Sequence, residues 1–509
     1  MGLREKYFHN SIYNVAGWGW STILNIIIIP YMIYKLGYDQ YGILSLVFLV
    51  VGYFAFLDLG LADAVVKYIS HYYALNNIVK INNIINSILA LFVIMGISGG
   101  IFILVFSNFV ALEVFKIPDE LHTTTKYCFN LCAIGLLLNL ILGVIAKIPE
   151  ALQRFDLSNR NNIIMGTAVS VMNVIVLFLG YGIKAIVLIN ILGSLFGIFL
   201  FYLTANKLIP QVVFNLKFNY DDFREVFHFG LYTVFTKFSS LMTNSINQLF
   251  IGSLVGASGL TIFNVPFKII SAFKGIIYRL SFVVFPVSSE LSALEYSEKL
   301  ESVYLKSSRY IFLLSSMFFI PVIAYSNKIL LFWLGADFAD KGTYLMMMIS
   351  LALFFISLTM IPGLIALGLG KPKYNAIFSL VTAGANIIFG YPLTKMWGTD
   401  GAATALFISS LQFPIAVYVI NRKVARVHNV IYFKMVFGKI ALIDVFCIVL
   451  YSLVGNRLIN GLTTLLAVLC LSCLILLLLG YRFSVERDDK KAVLGGLINI
   501  WSKVLGTRT

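Results

Sequence analysis

Apolar residues in this chain fall in long unbroken runs rather than at the spacing of one amphipathic helix face. Such runs, each about 20 residues or more, are long enough to cross the hydrocarbon core of a bilayer as helices. The pattern predicts fourteen spans, at 11–36, 41–69, 84–107, 123–148, 161–180, 183–206, 229–255, 260–287, 309–333, 342–369, 373–397, 401–421, 435–455 and 461–481. Short polar turns separate most of them. The longest mid-chain polar stretch, residues 207–228, follows the sixth span as a linker between two lobes would. The last two spans read as peripheral helices with few buried polar groups, and the basic tail 482–509 reads as lying on the inner leaflet. The expected fold is an all-α polytopic membrane protein.

Composition agrees with the pattern. Hydrophobic residues make up 60% and charged residues 12%, against roughly 25% charged in soluble domains. The net charge of +15 is placed unevenly. With the N-terminus inside, the segments assigned to the cytoplasmic side hold 25 lysines and arginines and the opposite side holds 8. That bias puts both termini in the cytoplasm and accounts for the basic chain without nucleic acid. All five cysteines lie in apolar runs, and the helically spaced pairs Cys128/Cys132 and Cys470/Cys473 have no nearby histidine or acidic companion, so no metal site is expected. Gly370-Lys371-Pro372 fails the phosphate-loop pattern, and no loop could hold a nucleotide-binding domain. Neither ATP nor any cofactor is expected.

Charge reappears where a membrane hairpin should have none. Residues 229–286 carry Lys237, Lys268, Lys274 and Arg279, with no acidic residue between Glu225 and Glu290. Intramembrane cations usually face a hydrated cavity or a partner, which makes this hairpin the candidate anion site. Lys268 and Arg279 are 11 residues apart, so they return to nearly the same helix face about 16 Å along the axis. Lys274 points about 120° away from them. Asp58 lies deep in the second span and reads either as a helix-end hydrogen-bonding residue or as a counter-ion to the cations or coupling residue. Asp63 and Lys67 form an (i, i+4) pair near the inner surface.

A weak repeat runs through the chain. Gly37 and Gly256 lie 219 residues apart, as do Gly182 and Gly401, which suggests parallel six-span repeats. The domains read as an N-terminal lobe at 1–220, a C-terminal lobe at 221–430, and two extra spans with the tail at 431–509. The turn Leu36-Gly37-Tyr38-Asp39-Gln40-Tyr41-Gly42, followed by Leu57-Asp58-Leu59-Gly60-Leu61, resembles the Wzx-like polysaccharide flippases. These belong to the multidrug/oligosaccharidyl-lipid/polysaccharide exporter superfamily. The resemblance implies two six-helix bundles in a V, with spans 1, 2, 7 and 8 lining the cleft. It also implies a non-enzymatic flippase in the inner (plasma) membrane that moves a polyprenyl-diphosphate-linked oligosaccharide by alternating access. Polysaccharide polymerase and chain-length proteins would then be partners, alongside membrane lipids. Under this reading Lys237, Arg279, Lys268 and Lys274 meet the diphosphate. The alternative within the superfamily is a multidrug or organic-cation antiporter, which would prefer an acidic cavity. A membrane glycosyltransferase would need a catalytic carboxylate or a large outer loop.

The predicted orientation is open to a direct check. Cysteine placed at Ser258 or Asp337 should label from outside intact cells, whereas cysteine at Ser158 or Ser297 should be shielded. Reversed labelling would overturn the orientation.

Overall fold

The computed structural model describes residues 3–54, 58, 61–115, 117–220, 245–293 and 297–483. Every regular element among them is a helix. Hydrocarbon offers no water to unpaired backbone groups, so a chain of this composition has to satisfy them within each segment. Eleven of the described helices are long and apolar enough to cross a membrane. Two of them each take in parts of two predicted spans, because a helix continues through a glycine kink. The kinks are Gly37 (φ +74°) in Leu3–Phe54 and Gly398 (φ +59°) in Lys373–Ser410. The seventh predicted span, 229–255, is described only from residue 245 onward. Thirteen of the fourteen predicted spans thus fall on the eleven helices, and most of the seventh lies outside the described residues.

Two compact units emerge. One comprises residues 1–265 with 379–405, the other residues 266–378 with 406–509. The division falls inside the helix Ala257–Ser281, at its internal Pro266.

In the first unit, Ile78–Phe109 and Ile183–Leu208 both pack on Asp119–Ile145, and Phe155–Phe178 joins Leu3–Phe54 to Ile183–Leu208. The segment after residue 208 leaves helical geometry, so most of its backbone groups need partners elsewhere. Side chains one turn apart on Ile78–Phe109 take them up. Asn82 donates to Gln211 O (3.0 Å) and accepts from Val213 N (2.9 Å). Asn86 donates to Val213 O (2.7 Å) and accepts from Asn215 N (2.7 Å), while Ser87 accepts from Asn219 N (2.8 Å). Amides at i and i+4 therefore hold the start of the 207–228 linker against one helix face.

In the second unit the long helix Ser297–Leu334 packs on Ala336–Leu358, Val284–Ala293, Gly438–Leu450 and Leu462–Phe483. It kinks at Tyr325, one turn after Pro321, where the ring removes a backbone donor. The last two spans depart from the expectation of few buried polar groups. Asp444, Tyr451 and Ser472 are buried. The Tyr451 hydroxyl donates to Ser472 O (2.7 Å), the Tyr325 and Ser472 hydroxyls lie 3.2 Å apart, and Arg309 Nε donates to Met435 O (3.0 Å). Helices in lipid gain little from burying apolar surface against one another, so polar contacts of this kind help to hold them together. Helical geometry loosens in the same region. Asn421–Ala425, Phe433–Phe437 and Tyr451–Gly455 are π turns, with a fourth at Val110–Val114.

Turns at Gly37 and Gly256 both use positive φ (+74° and +100°), which only glycine adopts cheaply. Near them the chain closes tightly. The Thr261 hydroxyl donates to Tyr38 O (2.7 Å), and the Tyr53 hydroxyl donates to Ser245 O (3.0 Å). A Cβ on Gly42 would stand 1.9 Å from the carbonyl oxygen of Ala257. Ser158 is buried, so cysteine at Ser297 carries the inner-face arm of the labelling test.

The contact at Gly42 yields a stability prediction. Gly42→Ala should destabilise the protein by about 1–3 kcal/mol, the usual cost of overpacking. Gly19→Ala, which meets only open space, should change stability little. Thermal melting of both variants in detergent compares them, and equal melting temperatures would contradict the close approach.

Candidate functional site

Of the LDLGL motif the structure describes Asp58 and Leu61, and Leu61 opens the helix Leu61–Ala74. Asp58 accepts the Ala62 backbone N–H through Oδ1 at 3.0 Å. Such a contact satisfies a backbone donor in the first turn of that helix. The same residue lines a cavity of about 320 Å³ in the first unit, together with Phe48, Gly52, Phe92 and Asn139. A smaller cavity of about 110 Å³ shares Phe48, Val51 and Asn139 and adds Asn190 and Ser194. Ser194 Oγ donates to Asn139 Oδ1 (3.2 Å), and the Asn139 amide donates to Gly135 O (2.9 Å). The unit thus encloses a carboxylate, two amides and a hydroxyl amid apolar walls. Such a lining can hold water, hydroxyl groups or a cation, and it suits a diphosphate poorly.

The cations lie elsewhere. Lys268, Lys274 and Arg279 all sit on the helix Ala257–Ser281, in the part that belongs to the second unit. From Lys268 to Arg279 that helix is unbroken, so the expected offset of about 16 Å holds. Lys268 is exposed, while Lys274 and Arg279 are half-buried. Arg279 Nη1 donates to Gly275 O one turn back (3.2 Å), which orients the guanidinium along its own helix. On the neighbouring face Phe273 stacks on Phe318, with ring centroids 5.2 Å apart. That contact turns this side of the helix toward Ser297–Leu334. Lys237 lies outside the described residues.

Sequence reasoning passed over the asparagines of the first unit. Asn139 and Asn190 line a cavity, and Asn386 is fully buried with neither end of its amide partnered among the described residues. Asn247 Oδ1 is likewise unpartnered, and a Cβ on Gly390, one turn from Asn386, would lie 3.4 Å from it. The available signal was asparagine placed inside otherwise apolar runs.

Asparagine caps a helix about as well as aspartate, so substitution separates the two roles of Asp58. Asp58→Asn should keep stability and reduce activity, read as surface glycan in a complemented deletion strain. Asp58→Ala should in addition cost about 0.5–2 kcal/mol in stability. Asp63→Asn should be milder than either. Equal and mild effects at Asp58 and Asp63 would leave Asp58 with the capping role alone.

Comparison with known proteins fits this architecture. A Shigella flexneri protein named "Putative O-antigen transporter" is 22% identical over 395 residues, covering 77% of this chain and 92% of that protein. The solved structure titled "Lipid II flippase MurJ, inward closed conformation" matches with a TM-score of 0.71 at 14% identity, covering 94% of this chain and 98% of that one. An inward-facing multidrug resistance MATE family transporter of the MOP superfamily matches with a TM-score of 0.63 at 14% identity, covering 82% and 96%. The sequence profile described as "Polysaccharide biosynthesis protein" matches residues 8–292, more than half of the chain. On that match the chain, a multi-pass all-α membrane protein, belongs to the polysaccharide biosynthesis protein family.

Proposed function

We propose that this protein is a flippase that carries a polyprenyl-diphosphate-linked oligosaccharide from the cytoplasmic to the external face of the membrane, for surface polysaccharide synthesis. The observation that carries this reading is the helix Ala257–Ser281, an apolar span with three cations and no acidic residue. Intramembrane cations usually face a hydrated cavity or a partner, and a diphosphate headgroup is a substrate of the matching charge. The name of the Shigella flexneri relative, an O-antigen transporter, and the fold shared with a lipid II flippase support the same substrate class. An organic-cation antiporter, the alternative within the superfamily, would prefer acidic residues in its cavity.

In this reading both termini are cytoplasmic and the protein sits in the inner (plasma) membrane. The N-terminal lobe 1–220 and the C-terminal lobe 221–430 rock between inward- and outward-open states, with the spans of 431–509 at the periphery. Lys237 and Arg279 attract the diphosphate first, and Lys268 takes it nearer the outside. The glycan occupies hydrated space while the lipid tail stays in the bilayer. A ligand shifts such an equilibrium only by binding the two states unequally, which is the role assigned to the spaced cations. Polysaccharide polymerase and chain-length proteins are the partners proposed to receive the product.

Alanine substitutions should therefore split unequally. Hydrogen bonds to charged groups contribute about 1.5–3 kcal/mol, so Arg279→Ala should lower surface glycan roughly 10- to 100-fold at unchanged membrane level. Arg279→Lys should recover part of it, since lysine lacks the planar fork. Lys237→Ala should resemble Arg279→Ala, Lys268→Ala should be milder, and Lys274→Ala should be mildest. Immunoblots of each variant control for insertion. Normal export by all four alanine variants would sink the anion-site assignment.

A further inference from the structure

Asp444 is the one acidic residue of the helix Gly438–Leu450, in the thirteenth predicted span. It is 5% exposed, among residues the proposed flipping cycle does not use. Its Oδ2 lies 2.7 Å from the hydroxyl oxygen of Ser316 on Ser297–Leu334. Its Oδ1 has no hydrogen-bond partner among the described residues. Charged and titratable groups on the surrounding elements leave the carboxyl alone. Arg309, on Ser297–Leu334, gives its Nε to Met435 O, two turns before Asp444, and Tyr325 reaches Ser472. Lys439 on the same helix and Lys434 on Phe433–Phe437 are exposed. Tyr451 donates to Ser472 O, and Cys473 of Leu462–Phe483 donates to Met317 O (3.3 Å). Cys447, one turn from Asp444, is buried and Cys470 is exposed. Among the described residues, none of these cations pairs with Asp444.

Counting protons at Ser316 then decides the state of the carboxyl. The Ser316 oxygen also lies 3.1 Å from Phe312 O, a carbonyl that can only accept. One hydroxyl carries one proton and two lone pairs. An ionised Asp444 can only accept as well, so two acceptors would compete for a single proton. A neutral carboxyl removes the conflict: Asp444 donates to Ser316 Oγ, and Ser316 donates to Phe312 O. Burial without a cation favours the same form, since an isolated buried carboxylate neutralises rather than stay charged.

We propose that Asp444 is an intramembrane proton-binding site, occupied when Gly438–Leu450 packs on Ser297–Leu334 and vacated when that contact opens. The ligand is a proton, and the acceptor it engages is the Ser316 hydroxyl. This site is independent of the diphosphate reading, because it involves none of the hairpin cations.

The experiment is infrared spectroscopy of the full-length protein in lipid bilayers, read as wild type minus Asp444→Asn. A carboxylic-acid carbonyl band, separate from the amide and carboxylate bands, should appear at neutral pH. It should shift in heavy water and vanish reversibly as pH rises. In Ser316→Ala the band should move to higher frequency, because the acid loses its acceptor. That shift is read against wild type alone, so it serves even if Asp444→Asn fails to fold. Absence of the acid band with an unshifted Ser316→Ala spectrum would show an ionised carboxylate and overturn the proposal. A band unchanged across the whole pH range would overturn the exchange of the proton. Loss of the band on adding sodium at fixed pH would reassign the site to a metal cation.

Discussion

Inside hydrocarbon a backbone N–H or C=O has no water to turn to, and that single deficit shapes most of what this chain does. It forces helices throughout the described residues. It also explains where serine, threonine and asparagine sit within them. Ser281, Ser316, Ser326 and Ser357 each donate to a carbonyl one turn back, as do Asn139 and Asn190. A polar side chain that bonds its own helix can be buried without a partner elsewhere, and it keeps an acceptor oxygen facing its neighbours. Where the chain must leave helical geometry, as after residue 208, asparagines on an adjacent helix complete the backbone bonds.

The two sets of buried polar groups therefore have opposite character. The first unit surrounds its cavities with acceptors, amides and Asp58, all held by short local bonds. The second unit contains the cationic part of Ala257–Ser281, whose guanidinium is only half-buried. A carboxylate can take up a backbone donor at a helix start, whereas the Arg279 guanidinium gives Nη1 to a carbonyl of its own helix. These roles follow from donor and acceptor count more than from charge alone.

Most of the architecture was legible because apolar run length is a one-dimensional signal, and the runs map onto the observed helices. Turn positions were legible for the same reason at Gly37 and Gly256, where positive φ needs glycine. Pairings across the sequence were not. Ser316 and Asp444 are 128 residues apart, and Asn86 and Asn215 are 129 apart. Nothing in either local pattern names its partner. The last two spans looked featureless because a lone aspartate among leucines and valines carries no periodicity, yet it is buried against a specific serine. Asp58 was visible as an acid in a span, and its bond to the Ala62 backbone N–H was not, because nothing in the run marks which backbone donor its carboxylate meets.

Four short π turns among the described residues carry an implication for how this family's sequences compare. Each accommodates one residue more than an α-helical turn would, and three of them fall between residues 421 and 455. A relative that lacks one residue there can close the π turn into an α turn and leave the flanking helix in place. Single-residue gaps in the middle of a membrane span, normally a sign of misalignment, are therefore physically reasonable in this part of the chain. The side-chain face downstream of such a gap keeps its direction, whereas a deletion in regular α-helix would rotate it by about 100°. An aspartate aligned across such a gap can therefore still stand opposite Ser316.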